Sequence, residues 1–263
     1  MDFGLKDKIA LIAGSSKGLG RAVAEELAAE GVGLVLCARD SKSLNAAGDE
    51  ITNTTGTPVV TVQADLTRVE DISRVVNAGL ERFGRIDILV TNNGGPPTGQ
   101  FESLSQSQWE AAVRLTLYSA IELTRQVLPG MKERRWGRIL NVTSIAVKQP
   151  VDNLMLSNSL RAAVTGFART LANEVATLGI TVNNIMPGYT RTDRLEDLAQ
   201  MLAKKEEISI ADVAARWTEE IPMRRLGEPR EFAALAAFLV SERAGYITGQ
   251  SIAVDGGWIR SLL

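Results

Sequence analysis

Histidine is absent from the 263 residues. Serine–histidine triads, histidine-ligated zinc and imidazole acid–base chemistry are therefore excluded. Cys37 is the only cysteine, so an intramolecular disulfide and a four-cysteine metal site are excluded too, and no metal is expected. An excess of either charge is missing: 29 Lys and Arg stand against 31 Asp and Glu, a formal net charge of −2. That balance supplies neither the basic field nucleic acid requires nor a polybasic membrane address. Long hydrophobic runs are missing as well. The longest, at 232–240, is about half of the ~20 residues a membrane span needs. Acidic residues and an early glycine in Met1-Asp2-Phe3-Gly4 break a signal-peptide pattern. The expected location is cytoplasmic, with no membrane and no nucleic acid as partner.

The hydrophobic set makes up 45% and charged residues 23%, which suits a globular chain with a substantial core. Short apolar runs at 8–13, 32–37, 59–63, 86–91, 138–143, 181–186 and 251–254 read as strands. Helical patterns at 20–30, 43–55, 68–83, 106–130, 153–178 and 228–241 lie between them. Strand–helix alternation with continuously apolar strands predicts a parallel sheet covered on both faces. Right-handed crossovers make it an α/β doubly wound, Rossmann-type sheet. No linker or repeat interrupts 1–263, which reads as one domain. The charged helical segment at about 192–222 (Leu195, Leu198, Leu202, Ile210, Val213, Trp217) is inserted before the last helix and reads as a small lid over the strands' carboxyl ends, or as a packing appendage.

The first strand runs into Ala13-Gly14-Ser15-Ser16-Lys17-Gly18-Leu19-Gly20 and then a helix. Gly14 suits a tight turn, Gly18 lets the backbone approach a phosphate, and Gly20 lets the helix pack closely on the sheet. The helix N-terminus offers free N–H groups to a pyrophosphate. The spacing Gly-x-x-x-Gly-x-Gly resembles that of the short-chain dehydrogenase/reductase family. The resemblance extends through Asp65 after the third strand, Thr91-Asn92-Asn93-Gly94 after the fourth, and Pro187-Gly188 with Thr192. It continues through 221–229 and from Ile247-Thr248-Gly249-Gln250 to Asp255-Gly256-Gly257. The β-ketoacyl carrier-protein reductases are the most similar branch. The resemblance implies a nicotinamide dinucleotide held by Gly14, Ser16, Lys17, Gly18, Leu19, Gly20, Arg39, Asp65, Leu66, Asn92, Gly94, Arg161, Pro187, Gly188, Thr190 and Thr192.

An NAD-type site places a carboxylate at the end of the second strand, whereas a 2′-phosphate calls for cations. Cys37-Ala38-Arg39 puts alanine at the acidic position and arginine after it, and Lys17 sits inside the glycine loop. Arginine suits phosphate through bidentate hydrogen bonds. The expected cofactor is NADP(H).

By the same resemblance, catalysis needs a serine that polarises the carbonyl, a tyrosine that donates the proton, a lysine that lowers its pKa, and an asparagine that holds a water. Ser144 fits the serine. The tyrosine position falls on Ser157, the lysine position on Arg161 and the asparagine position on Thr116. Serine is far less acidic than a phenol of pKa ~10 and shorter by a ring. Arginine keeps its charge and its donors. General acid–base catalysis contributes ~10²–10⁴ in rate, so carbonyl reduction is expected to be slower by about that factor unless another group supplies the proton. Tyr189, after Pro187-Gly188, is either that group or an aromatic wall. Tyr118 is expected between helices, and Tyr246 in a structural or interfacial role. Asn93 either directs its amide at substrate or ribose, or serves a tight turn.

The expected function is an NADP(H)-dependent oxidoreductase acting on a small carbonyl or alcohol, or an acyl thioester, with the proton from water, Tyr189 or the substrate. A catalytically silent NADP(H)-binding sensor or subunit is one alternative. Another chemistry on the scaffold, such as a dehydratase, isomerase or enoyl reduction, is a second. Fold alone does not choose among them. Helix 153–178 carries Ala162, Ala163, Gly166, Ala168 and Ala172, a surface for packing helix on helix. The resemblance implies a homodimer or homotetramer through it.

Overall fold

In the computed structural model, which describes residues 2–262, the apolar runs become seven strands. They are β1 (Ile9–Ala13), β2 (Gly33–Ala38), β3 (Val59–Gln63), β4 (Ile88–Thr91), β5 (Gly137–Val142), β6 (Ile180–Pro187) and β7 (Ser251–Val254). Their order is β3-β2-β1-β4-β5-β6-β7, and every neighbouring pair is parallel. The central strands β1, β4 and β5 are buried along their whole length, while the edge strand β3 is only half-buried. The chain reverses its winding between β1 and β4, which opens a crevice at their carboxyl ends.

One face carries α1 (Gly18–Ala29), α2 (Ser41–Thr55) and α9 (Pro229–Val240), with Leu27, Leu44 and Phe232 completely buried in a single cluster. The other carries α3 (Val69–Phe83), α5 (Ser119–Arg134) and α6 (Met155–Val175), meeting the sheet through Ile72, Leu123 and Val175. Each such side chain contributes about 1.5–3 kcal/mol of burial.

Three helical expectations are modified. The run expected at 106–130 is α4 (Gln106–Val113), a π-helical segment Arg114–Tyr118, and then α5, which continues through Pro129 to Arg134. Burial of Val127 and Met131 on either side of the proline carries the helix past the missing hydrogen bond. The lid is two helices, α7 (Asp193–Glu206) and α8 (Ile210–Glu220). Glu207 ends the first at φ 55°, and a capping box of Ser209 with Asp212 starts the second. Along α6, Ala168 and Ala172 are buried against the sheet, while Ala162, Ala163 and Gly166 are exposed, so only part of the small-residue surface faces outward. Tyr118, expected between helices, is 58% exposed, and Tyr246 is fully exposed.

The lid lies where the sequence places it. Ala199, Ala203, Val213 and Trp217 pack with Ile145 beyond β5, Met186 in β6 and Trp258 near the C-terminus. No helix among the described residues is long and apolar enough to cross a membrane.

Candidate active site

Backbone proximity builds the first half of the site. Gly14 has φ 59°, and a Cβ there would lie 2.2 Å from the Asn92 carbonyl oxygen. A Cβ on Gly20 would lie 2.3 Å from the Gly14 carbonyl. Glycine is the residue both positions accept. Asn92 Nδ2 donates to Gly14 O at 3.2 Å and braces the turn against the end of β4. Ser15, which the sequence reading passed over, is fully buried and clamps the loop to β2, accepting from the Cys37 N–H at 3.1 Å. The serine's place next to the turn glycine was the one available clue. Burial lifts the Cys37 thiol to about 12, so this cysteine is inert.

The N-terminus of α1 carries no capping side chain and no acid in its first turn. The N–H groups of Gly18, Leu19 and Gly20 therefore remain open to an anion. Ser16 and Leu19 are half-buried beside them. Arg39 is exposed at the end of β2. Its neighbour Asp40 is committed elsewhere: the carboxylate caps α2, accepting from Ser43 N at 2.7 Å and Ser43 Oγ at 2.5 Å, which holds it below its ordinary pKa. Lys17 points to the lid, with Nζ 2.9 Å from Asp193 Oδ2. The hydrogen bond and charge of Asp193 raise the Lys17 pKa. Both partners are more than 60% exposed, and such a pair is worth ~0–1 kcal/mol, so a phosphate can displace it. Asp65 is half-buried, its Oδ1 accepting from Thr67 N–H and Oγ1 at 3.0 and 2.8 Å, and Leu66 is buried beside it.

Side chains build the second half. Ser144 directly follows β5, and its Oγ accepts from Ala146 N–H at 3.1 Å, which leaves its own hydrogen free to donate. Arg161, on α6, gathers the surrounding segments. Its Nη1 donates to Val142 O at 2.7 Å, its Nη2 to Gly94 O at 3.0 Å, and its Nε to Ser157 Oγ at 3.3 Å. Among the described residues no carboxylate pairs with it. Burial, with Arg194 as a second cation, pulls Arg161 down to about 10, so it stays charged at neutral pH. Arg194 reaches the same loop, its Nη1 3.4 Å from Gly95 O.

Thr116 sits in the π-helical segment, 4% exposed, with Oγ1 lacking a hydrogen-bond partner. It lines a small cavity of about 10 Å³ with Asn93, Thr143 and Arg161. Of the two expectations for Asn93, the tight turn is not what the structure shows, while its Oδ1 has no partner and the residue lines this cavity. Its Nδ2 donates to Ser119 Oγ on α5, and no residue from 92 to 97 has a positive φ.

Beyond β6, Gly188 N–H donates to Val254 O at 3.0 Å, and Pro187 and Gly188 border a larger cleft of about 190 Å³ under the lid. Thr190 is buried, and Thr192 caps α7. Tyr189 stacks on Trp217 with ring centroids 5.2 Å apart at 17°, and meets Trp258 edge-on at 6.0 Å. Burial and the charge of Glu220 push its phenol up to about 12.

A glycine turn whose Cβ space is filled by backbone, an uncapped helix N-terminus behind it and a crevice at the switch point define a dinucleotide-binding α/β protein. A family model described as enoyl-(acyl carrier protein) reductase matches residues 13–259. The chain is 32% identical over 257 residues to 3-oxoacyl-(acyl-carrier-protein) reductase of Aquifex aeolicus, covering 98% of this chain and 99% of that one. It is 34% identical over 253 residues to acetoacetyl-CoA reductase of Allochromatium vinosum, covering 95% and 98%. L-sorbose reductase of Gluconobacter frateurii, solved with NADPH and L-sorbose, superposes with a TM-score of 0.95 at 35% identity over 100% of both chains. The chain belongs to the short-chain dehydrogenase/reductase family.

Proposed function

We propose that the protein is an NADP(H)-dependent reductase of small carbonyl compounds, in which Ser157 and Arg161 stand where relatives carry a tyrosine and a lysine. The cofactor reading rests on four features. The α1 N-terminus is open and unacidified. Arg39 is exposed at the end of β2, Asp40 is withdrawn into a cap, and Lys17 is held only by a surface pair. In this reading Gly14, Ser16, Gly18, Leu19, Gly20 and Asn92 line the pyrophosphate turn, and Asp65 and Leu66 the adenine side. Gly94, Pro187, Gly188, Thr190 and Thr192 line the nicotinamide side. Those residues fit the group, because the uncapped α1 N-terminus offers N–H donors to its phosphates, with the exposed Arg39 at the end of β2 and Lys17 held only by a surface pair.

When bound, the reduced nicotinamide supplies a hydride to the carbonyl carbon. The chain's own part is to stabilise the oxygen that becomes negative. Ser144 accepts from Ala146 N–H, borders the cleft and keeps a hydrogen free to donate. Ser157 accepts from Arg161 Nε and likewise keeps a hydrogen to give. Arg161 adds fixed positive charge with no acid to neutralise it. Donors fixed before the reaction favour a developing oxyanion without reorganising. Tyr189 is the wall of the cleft in this reading: a phenol raised to about 12 and stacked on Trp217 is a poor acid. The proton then comes from water, with the rate deficit of ~10²–10⁴ that a missing general acid implies.

The observation that carries the reading is Arg161, which bonds Ser157, the carbonyl two residues before Ser144, and Gly94 of the loop after β4. The experiment is NADPH oxidation over a panel of ketones and ketoacyl thioesters with wild type and Ser144→Ala. Turnover that falls at least about 10-fold in the variant, with NADPH affinity unchanged, supports it. Tight NADPH binding with no turnover of any carbonyl would make the protein a sensor instead. The exposed Ala162, Ala163 and Gly166 face of α6 supports a homodimer or homotetramer, and the acid–base balance with one buried cysteine suits the cytoplasm.

A further inference from the structure

The cleft beneath the lid is more selective than the carbonyl chemistry beside it. Its walls are Ile145, Val151, Leu198, Leu202, Tyr189 and Trp217. Ser144 is the polar group at the reacting end. The hydroxyl of Thr98, which also borders the cleft, already donates to Met201 Sδ at 3.6 Å. Asp152 is the only charged side chain on the lining, and it is exposed. Neither Arg161 nor Arg194 lines the part of the cleft that takes the substrate body; Arg161 lines the small neighbouring cavity instead. Apart from Asn153 and the Tyr189 hydroxyl, the lining offers a hydroxyl-rich substrate body few partners, and a carboxylate on that body would find an acid and no cation.

Size narrows the class further. An apolar cavity of about 150 Å³ holds benzene. At about 190 Å³, part of it beside the Pro187 and Gly188 assigned to the nicotinamide, this cleft takes at most one ring with a short substituent. The near-parallel Tyr189–Trp217 pair offers aromatic contact to a flat body, and Leu195, Leu198 and Leu202 of α7 add further apolar lining. We propose that the substrate is a compact, neutral, apolar ketone of about eight to ten heavy atoms, an aryl or alicyclic ketone, with its carbonyl at Ser144 and its body against the Tyr189–Trp217 stack and α7. The inference rests on the reductase reading for the carbonyl. It conflicts with a polyol ketose as substrate, although a relative of similar fold was solved with one.

Calorimetry on the protein saturated with NADP⁺ tests it without turnover. Acetophenone, L-sorbose and acetoacetyl-CoA are titrated into wild type, Leu198→Asp and Leu198→Val. Acetophenone should bind at least about 100-fold more tightly than sorbose; Leu198→Asp should weaken it about 30-fold or more, and Leu198→Val only a few-fold. Sorbose or acetoacetyl-CoA binding more tightly than acetophenone would overturn the proposal, as would Leu198→Asp leaving acetophenone unaffected. If the aspartate variant fails to fold, a Leu198→Val effect that grows with ketone size supports the proposal, and equal binding of all ketones refutes it. NADPH oxidation separates the two readings. Apolar-ketone binding without any oxidation keeps this inference and ends the reductase reading, while oxidation of sorbose without acetophenone binding does the reverse.

Discussion

Between Gly14 and Asn92 the protein shapes its site with backbone; between Ser144 and Trp217 it uses side chains. In the first region carbonyls fill the space a Cβ would need, so substitution is forbidden by sterics rather than by chemistry. In the second, Ser157 and Arg161 form their own hydrogen bond, and a matched pair of residues can be exchanged for another matched pair. Backbone contact leaves the glycine turn no freedom to change, whereas the proposed reacting end rests on side-chain hydrogen bonds that another matched pair could replace.

The sharpest way to break that contrast is Gly14→Ala. The left-handed φ and the 2.2 Å approach to Asn92 O leave no room, so NADPH binding should disappear at concentrations that saturate the wild type, as read by fluorescence titration. Retained affinity would mean the turn is not rigid. In the other region, Ser157→Tyr combined with Arg161→Lys should raise kcat for ketone reduction by about 10²–10⁴, because a phenol beside an ammonium restores a general acid. Either single change should do far less, and a double variant no faster than wild type would show that the proton already has an efficient source. Arg39→Ala comes next. Losing one charged hydrogen-bond donor should narrow the preference for NADPH over NADH by about 10–100-fold, measured as a ratio of Kd values. Lys17→Ala should narrow it less, because Asp193 already holds that ammonium.

The smallest effect is expected where the aromatic wall meets the reacting end. Tyr189→Phe should keep kcat within about 3-fold, since a phenol near 12 is protonated at every working pH and its ring remains stacked. For the same reason kcat should stay flat from about pH 6 to 9. Histidine is absent, Cys37 and Tyr189 titrate about 12, and Arg161 about 10. The Arg161 shift also has a definite sign for stability. A base whose folded pKa lies below its unfolded value is harder to protonate when folded. Its unfavourable contribution is complete at neutral pH and would be relieved only as pH rises above about 10. A bell or step in kcat between pH 6 and 9 would reveal an acid that the site does not display.

Much of the fold was legible residue by residue. The runs that became β1, β4 and β5 are buried on both faces, so they read as unbroken apolar segments, and the glycines at 14, 18 and 20 mark the turn between β1 and α1. The lid was placed correctly, but its division at Glu207 was not, because a single left-handed residue between two helical patterns leaves no periodicity to read. Ser144, Ser157 and Arg161 were singled out through the family resemblance. Their contacts were not, because Arg161 finds Gly94 across 67 positions of chain and Val142 across 19.

The sequence by itself determined which backbone is allowed where. Apolar continuity makes strands that must be covered on both faces, and a glycine can be required by local sterics alone. The absence of histidine removes imidazole chemistry before any coordinate is known. Only the tertiary structure decided where each polar side chain finds its partners: Asp40 as the cap of α2, Asn93 bound to Ser119, Lys17 paired with Asp193, and Tyr189 stacked on Trp217. Those choices depend on distances between segments remote in the chain, and hydrogen bonds and ring contacts act over a few ångströms that only packing can set.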